Sequence, residues 1–270
     1  MNKEYRISTI IPTFNRAHTI IRAIRSAQDQ TYPVDEIIIV DDASFDDTKQ
    51  KVLMIDDDRI RYFCLNTNKG ASGARNYGVS QARCDMIAFL DSDDVWHPDK
   101  IEKQLALKTE KPDLGLIYTA YVRIYGSSKE AHPNMNGNDK LEGSMLSQVL
   151  YKNTVGTPTI LMDKSLFGEI GGFDEEMRCL EDWDMVIRAS QKTEFGFVPE
   201  ILVDAVYMDD GVTSDMEEHF KSRCLMMQKY RQEYLDTGTF NDAAETILAM
   251  AQKYNMLDKV QSMLLRYISS

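Results

Sequence analysis

No charge-free stretch of the chain approaches the ~18–20 residues that a membrane-spanning helix needs. The longest, Asn153 to Met162, has ten. Paired cysteines are missing too: Cys64, Cys84, Cys179 and Cys224 are scattered, with no C-x-x-C spacing. That argues against a zinc site or a disulfide framework and fits a reducing cytoplasm. Basic residues are in deficit, with 31 Lys and Arg against 43 Asp and Glu and a net charge of −12. A broad nucleic-acid footprint is therefore disfavoured. The start of the chain carries Lys3, Glu4 and Arg6 and then an Ile-rich run ending at Pro12, which reads as a strand and not as a signal peptide. What remains is a globular composition, 43% hydrophobic and 27% charged over 270 residues. Global disorder is excluded, and the length suits one large domain or one domain with an appendage. Acid clusters in such a chain suggest cation binding. If the ligand is anionic, a metal must mediate.

The first half alternates strand and helix. Ile7–Ile11 is β-branched and apolar, and Ile20, Ile21, Ile24 and Ala27 follow at helical spacing. Glu36–Val40 is a near-continuous apolar run, as buried parallel strands are. Ser44 with Asp47 reads as a capping box for the next helix. Arg59–Leu65 is a strand, Gly70–Ala82 a helix with a glycine-rich start, and Met86–Leu90 the fourth strand. Pro98 suits the first turn of a helix running to about Lys108. Such alternation predicts a mostly parallel sheet with right-handed crossovers, whose ligands sit beyond the carboxyl ends of the strands. Those ends read Pro12-Thr13-Phe14-Asn15, Asp41-Asp42, Asn66 to Gly70, and Asp91-Ser92-Asp93-Asp94.

The second half is less regular. Leu114–Val122 and Phe195–Val203 read as strands, Gly126–Lys140 as a mobile loop, and Leu141–Tyr151 and Asp182–Ala189 as helices. From about Asp215 the pattern is helical and amphipathic, interrupted at Gly238. The expected organisation is a unit of residues 1–214, with a nucleotide-binding half (1–110) and an acceptor half (111–214), followed by a helical extension (215–270).

Three carboxylates in the four residues Asp91–Asp94 repel one another unless a cation is present. Oxygen-only ligands at a strand end suit Mg²⁺ or Mn²⁺; a solvated turn capping a helix is the plainer alternative. Asp41-Asp42 could cap the helix that follows, or accept from a base N–H or a ribose hydroxyl. Gly70-Ala71-Ser72-Gly73-Ala74-Arg75-Asn76 matches no nucleotide-binding fingerprint. Its small residues serve close packing equally well, although Lys69 and Arg75 place cations at a helix start. Glu181 and Asp182 open a helix and point about 100° apart, so one of them faces any site there and could take a proton from an attacking hydroxyl. Trp96 is expected to pack, and His97 to lie at the surface.

The order of these segments resembles glycosyltransferase family 2. The resemblance is carried by P-T-F-N-R after the first strand, V-D-D-A-S after the second, N-K-G-A-S-G-A-R-N before the third helix, F-L-D-S-D-D-V-W-H-P-D-K after the fourth strand, and G-G-F-D-E-E-M followed by L-E-D-W-D-M-V-I-R. It runs from about residue 5 to 214. It implies an α/β fold of the GT-A (Rossmann-like) type and a nucleotide-diphosphate-sugar donor, a UDP-sugar by default. By similarity, Pro12, Thr13, Asp41 and Asp42 hold the base and ribose, and Arg75 sits near the diphosphate. Asp91 and Asp93 form a D-x-D motif, with Ser92 counted among the donor-binding residues. Asp93 is the first choice of ligand for Mn²⁺ or Mg²⁺, and Asp91 for ribose or metal. Glu181-Asp182 matches the family's E-D motif, in which the Asp is the general base, and an inverting displacement follows.

One segment departs from the family. Where many members carry a His, this chain reads Val206-Tyr207-Met208-Asp209-Asp210, which makes Asp209, or its neighbour Asp210, a candidate third metal contact. The expected acceptor is a glycan or lipid-linked hydroxyl in bacterial surface polysaccharide or glycolipid synthesis. The expected location is the cytoplasm, with peripheral membrane contact at most and a homodimer through the tail as a further expectation. Three other readings compete. A haloacid-dehalogenase phosphatase needs its nucleophilic Asp at the end of the first strand, where this chain has Pro12-Thr13. A nicotinamide oxidoreductase needs a first-strand glycine fingerprint. A non-catalytic nucleotide-sugar-binding or scaffold protein differs from the enzyme only in turnover.

Overall fold

The computed structural model describes residues 5–206 and 215–268. Chain order runs β1 (Ile7–Thr13), α1 (Ile20–Gln28), β2 (Glu36–Asp41), α2 (Thr48–Leu53), β3 (Ile60–Cys64), α3 (Gly70–Gln81), β4 (Met86–Phe89), β5 (Val95–Trp96) and α4 (Lys100–Glu110). It continues with β6 (Leu116–Tyr125), β7 (Ser128–His132), α5 (Leu146–Tyr151), β8 (Leu161–Asp163), α6 (Lys164–Glu169), α7 (Glu181–Ser190) and β9 (Phe195–Val206). Four helices follow: α8 (Met216–Lys229), α9 (Arg231–Asp236), α10 (Phe240–Lys253) and α11 (Leu257–Ile268).

The nine strands form one mixed sheet in the order β3-β2-β1-β4-β8-β6-β9-β5, with β7 paired to β6. β1, β2, β3 and β4 are mutually parallel, as are β6 and β9, while β8 and β5 run antiparallel to their neighbours. The apolar strands of the first half are continuous because both of their faces are covered. Ile10, Ile38, Val40, Ile87 and Phe89 enter the cluster that α3 and α5–α8 complete. Ile7, Ile11, Ile37, Ile39, Met86 and Ala88 face α1, α2 and α4. This is the period of two that a strand imposes on its side chains.

Gly78 lets α3 approach the sheet. A Cβ at Gly78 would come within 2.6 Å of Ile10 Cγ2 and 3.2 Å of Val40 Cγ2. In β9, Val198 pairs with Thr119 and Ile201 with Ala120, so Pro199 and Glu200 bulge out of the ladder where a proline is tolerated.

The segment Gly126–Lys140, expected as a loop, is one-third strand. Gly126, at φ +57°, turns the chain so that β7 pairs back along β6 from Ser128 to His132. Its sequence S-K-E-A-H is polar and exposed, so this strand leaves no hydrophobic alternation to read.

The last helices share the sheet's core. Phe220, Cys224, Met227, Ile247, Val260 and Leu264 are buried in the same cluster as Ile10 and Ile38. Asp215 caps α8 by accepting from Glu217 N and Glu218 N. Burying Ile247, Val260 and Leu264 contributes about 1.5–3 kcal/mol each. Deleting residues 240–270 is therefore expected to lower Tm by roughly 10 °C or more, with UDP affinity little changed. Calorimetry of the truncated chain checks this, and an unchanged Tm would contradict it. Among the described residues, no helix is long and apolar enough to cross a membrane.

Candidate active site

The carboxyl ends of β1, β2 and β4 open onto a cleft of about 990 Å³, closed on its far side by β6, the start of α7 and the end of β9. The loops that shape it are fixed by side chains. Thr13 O accepts Asp42 N at 2.8 Å, joining the ends of β1 and β2. Ser44 Oγ accepts Asn15 N, and Asp46 accepts from Ala17 N and from both the N–H and the hydroxyl of Thr48. The expected capping box at Ser44 and Asp47 is thus absent. α2 starts four residues after Ser44, at Thr48, and Ser44 serves the neighbouring loop instead. Pro12 and Thr13 line the cleft. The Thr13 hydroxyl is buried with no hydrogen-bond partner among the described residues.

The two acids at the end of β2 part company. Asp41 is buried and accepts Ser44 N at 2.7 Å and the Tyr62 hydroxyl at 2.5 Å. It does not line the cleft, whereas Asp42 does. Asp42 accepts Lys69 N (2.7 Å) and Gly70 N (2.8 Å). Its carboxylate thus occupies the free N–H groups at the start of α3, where an anion could otherwise bind. Burial pushes the Asp42 carboxyl up, although the two N–H donors favour its ionised form.

The acid turn after β4 presents its carboxylates unequally. Asp94 is buried and accepts Val206 N at 2.9 Å, tying the turn to β9. Burial, and then the charges of Asp91 and Asp93, push its carboxyl well up. Asp91, Ser92 and Asp93 line the cleft, and Asp93 lies 3.7 Å from Arg16 Nε. Asp91 accepts Arg75 Nη2 at 2.7 Å, while Arg75 Nη1 reaches Glu181 at 3.0 Å. Burial disfavours the guanidinium charge, but these two carboxylates outweigh burial and raise its pKa. Arg75 therefore bridges α3, the acid turn and α7, and its Nε is buried without a partner among the described residues. Beneath it, at 5.2 Å, lies the ring of Phe173. The G-G-F turn is itself clamped to α3, because Asn76 exchanges two hydrogen bonds with the Phe173 backbone, each 2.9 Å.

Leu180, at φ +63°, turns the chain into α7. Asp182, in the first turn, is partly exposed to the cleft, and its Oδ1 accepts Trp183 N. Burial, and then the adjacent Glu181, push the Asp182 carboxyl up to about 7, against the Trp183 N–H and Arg75. The helix start favours an anion here, but burial, together with the neighbouring acids, outweighs it. A carboxyl poised near neutrality in a cleft is suited to taking a proton.

Trp96 is packed, as expected, with its indole N–H on Pro158 O. His97 is partly exposed and pairs with Asp204 at 3.0 Å. Asp209 and Asp210 lie outside the described residues. Among those described, no three His, Cys, Asp or Glu converge as a metal cluster. Asp91 and Asp93 nevertheless fit a hard ion of the Mg²⁺ type, which commonly takes one or two carboxylates and completes its shell with water and substrate phosphate.

Among the cleft residues that no sequence motif marked are Tyr121, Arg123 and His219. The first two alternate on β6, and the Arg123 guanidinium donates to the Tyr121 hydroxyl at 3.2 Å. His219 comes from α8, far along the chain from every motif.

The family model for glycosyl transferase family 2 matches residues 8–170. The chain belongs to glycosyltransferase family 2. One relative, an Escherichia coli protein named UDP-Glc:alpha-D-GlcNAc-diphosphoundecaprenol beta-1,3-glucosyltransferase WfgD, is 35% identical over 164 residues, covering 60% of this chain and 62% of its own. The putative teichuronic acid biosynthesis glycosyltransferase TuaG of Bacillus subtilis is 32% identical over 166 residues, covering 61% and 64%. An uncharacterized glycosyltransferase of Rickettsia conorii is 35% identical over 213 residues, 78% of this chain but 34% of its own. The chain thus matches from about a third to just under two thirds of the length of these relatives.

Solved structures share the GT-A fold. S. aureus TarS residues 1–349 with UDP superposes with a TM-score of 0.69 at 20% identity, covering 92% of this chain and 72% of that one. The Pyrobaculum calidifontis mannosyltransferase with GDP-Man and Mn²⁺ gives 0.66 at 15% identity, covering 99% and 83%.

Proposed function

We propose that this family 2 chain moves a sugar from a nucleotide-diphosphate sugar to an acceptor hydroxyl, inverting the anomeric carbon, with Asp182 as general base. The observation that carries the proposal is geometric: Asp182, in the first turn of α7, lines the same cleft as Asp91 and Asp93. The acceptor oxygen attacks the anomeric carbon and the bond from that carbon to the phosphate oxygen breaks. The hydroxyl proton passes to Asp182, and the nucleoside diphosphate leaves with the electron pair. Asp93 and Asp91 would hold Mn²⁺ or Mg²⁺, which supplies charge neutralisation to the leaving diphosphate. Arg75 keeps Asp91 and Glu181 in place through its two ion pairs. Pro12, Thr13 and Asp42 form the wall for base and ribose, where the unpartnered Thr13 hydroxyl awaits an acceptor atom.

A UDP-linked hexose or N-acetylhexosamine is the favoured donor. Support comes from the name of the E. coli relative, a UDP-Glc enzyme, and from TarS structures holding UDP or UDP-GlcNAc. The acceptor is a glycan or lipid-linked hydroxyl at the cytoplasmic face of the membrane. The tail mixes Glu217, Glu218, Glu233, Asp236 and Asp242 with its lysines and arginines, which disfavours a strong anionic-lipid anchor.

Screening a nucleotide-sugar panel with Mn²⁺ for nucleotide release tests the reading. Release is expected with at least one UDP-sugar, whereas tight binding without turnover would favour the non-catalytic scaffold. Inversion is tested separately by comparing the NMR anomeric coupling of the product with that of the donor. Opposite configurations are expected, and retention would refute the single displacement.

A further inference from the structure

A second cavity, of about 230 Å³, lies beside the catalytic cleft between the end of α5 and helices α7, α8 and α10. Trp183, Phe220, Ile247 and Met250 give it apolar walls. Set into those walls is Arg223, 5% exposed. Its guanidinium lies over the Trp183 ring at 3.9 Å. Its Nη1 is buried with no hydrogen-bond partner among the described residues. Elsewhere in the protein, a buried guanidinium is matched by acids: Arg75 has Asp91 and Glu181. Arginine cannot shed its proton in a protein. A buried, uncompensated cation is costly, and one aromatic face offsets only part of that cost. Burial accordingly pushes the Arg223 pKa down. Five N–H groups on a planar fork match a phosphate or carboxylate, and a phosphate offers more charge and more acceptor oxygens.

The two cavities adjoin. His219 and Trp183 line both, and Trp183 follows Asp182 in the chain. A group held at Arg223 would therefore lie against Trp183, the residue that follows the base.

We propose that this cavity is an acceptor subsite that takes a phosphate group carrying an apolar chain, with the phosphate on Arg223 and the first carbons of the chain against Phe220, Ile247 and Met250. The assignment rests on the transferase reading of the adjoining cleft for its role, but not for its chemistry. An acceptor so held has its phosphate and chain anchored at Arg223 and its sugar hydroxyl directed toward Asp182.

The test uses octyl phosphate, inorganic phosphate, octanol and octanoate, read by tryptophan fluorescence. Trp183 lines the cavity, whereas Trp96 is buried away from it. Octyl phosphate is expected to bind saturably and more tightly than the other three. Arg223→Met is expected to weaken it roughly ten- to hundredfold, the effect of losing a charged hydrogen-bonding partner. Thr246→Phe serves as a second variant, because Thr246 is exposed on α10 at the cavity edge. A ring there should obstruct the site without removing a core residue, and should weaken octyl phosphate similarly. Calorimetric UDP binding with Mn²⁺ is measured on the same samples and is expected to stay unchanged in both variants. Equal binding of inorganic phosphate would overturn the apolar half of the proposal. Equal binding of octanoate or octanol would overturn the phosphate half. Undiminished octyl phosphate affinity in both variants would overturn the location. Loss of the transferase reading would show differently, as octyl phosphate binding without any nucleotide binding.

Discussion

Asp182→Asn is expected to cut turnover by about 10²-fold or more, the usual contribution of a general base, while leaving the fold and UDP binding intact. The amide keeps the oxygen that accepts Trp183 N and cannot take a proton. The wild-type pH profile follows from the same residue. With the Asp182 carboxyl raised to about 7, kcat is expected to rise with pH up to about 7 and level off above it. The sign for stability is opposite. A carboxyl raised from 3.8 in the folded state binds more protons there than when unfolded, so it costs stability as pH rises from about 4 to about 7. Asp182→Asn removes that cost and is expected to leave Tm at pH 8 equal or higher. Glu181→Gln should affect kcat less. The reverse ranking in kcat would move the base to Glu181.

Arg75→Met is expected to lower stability strongly. It leaves Asp91 and Glu181 without their shared cation, beside Asp93 and Asp182 in the same cleft. Removing one partner of a buried ion pair costs about 3–5 kcal/mol. Both acids face the cleft and retain some solvent, so the lower end applies, about 3 kcal/mol. That corresponds to a Tm drop of roughly 6–12 °C in a chain of this size. Arg75→Lys keeps the charge but not the fork and should lose less. Thermal unfolding of the three proteins at pH 8 ranks them, and a wild-type Tm for Arg75→Met would contradict the bridging role.

The parts of the fold legible in the sequence are those buried on both faces. β1, β2 and β4 announce themselves as apolar runs because helices cover each side. β7 is a polar edge strand, and β5 and β8 are two and three residues long, too short to carry a period. The cleft acids were legible because strand ends in an α/β sheet gather at one edge. The pair Asp41-Asp42 was harder. Successive strand residues point to opposite faces, and Asp41 continues the row of Ile37 and Ile39 toward the α1 and α2 side. Reading that parity separates Asp41 from Asp42, the acid that lines the cleft. Tyr121 and Arg123 share one face of β6, a signal hidden inside an apolar strand. Nothing local marks His219 or Arg223, since their place depends on where the tail helices dock, a tertiary contact no window of sequence contains.

Calorimetry of UDP with and without Mn²⁺, on the wild type and on Asp93→Ala, tests most directly whether this cleft binds a nucleotide diphosphate through its acid turn. The expected result is UDP binding strengthened by Mn²⁺ in the wild type and deprived of that metal dependence in Asp93→Ala, with transfer abolished. Unchanged metal-dependent UDP affinity in Asp93→Ala would contradict it.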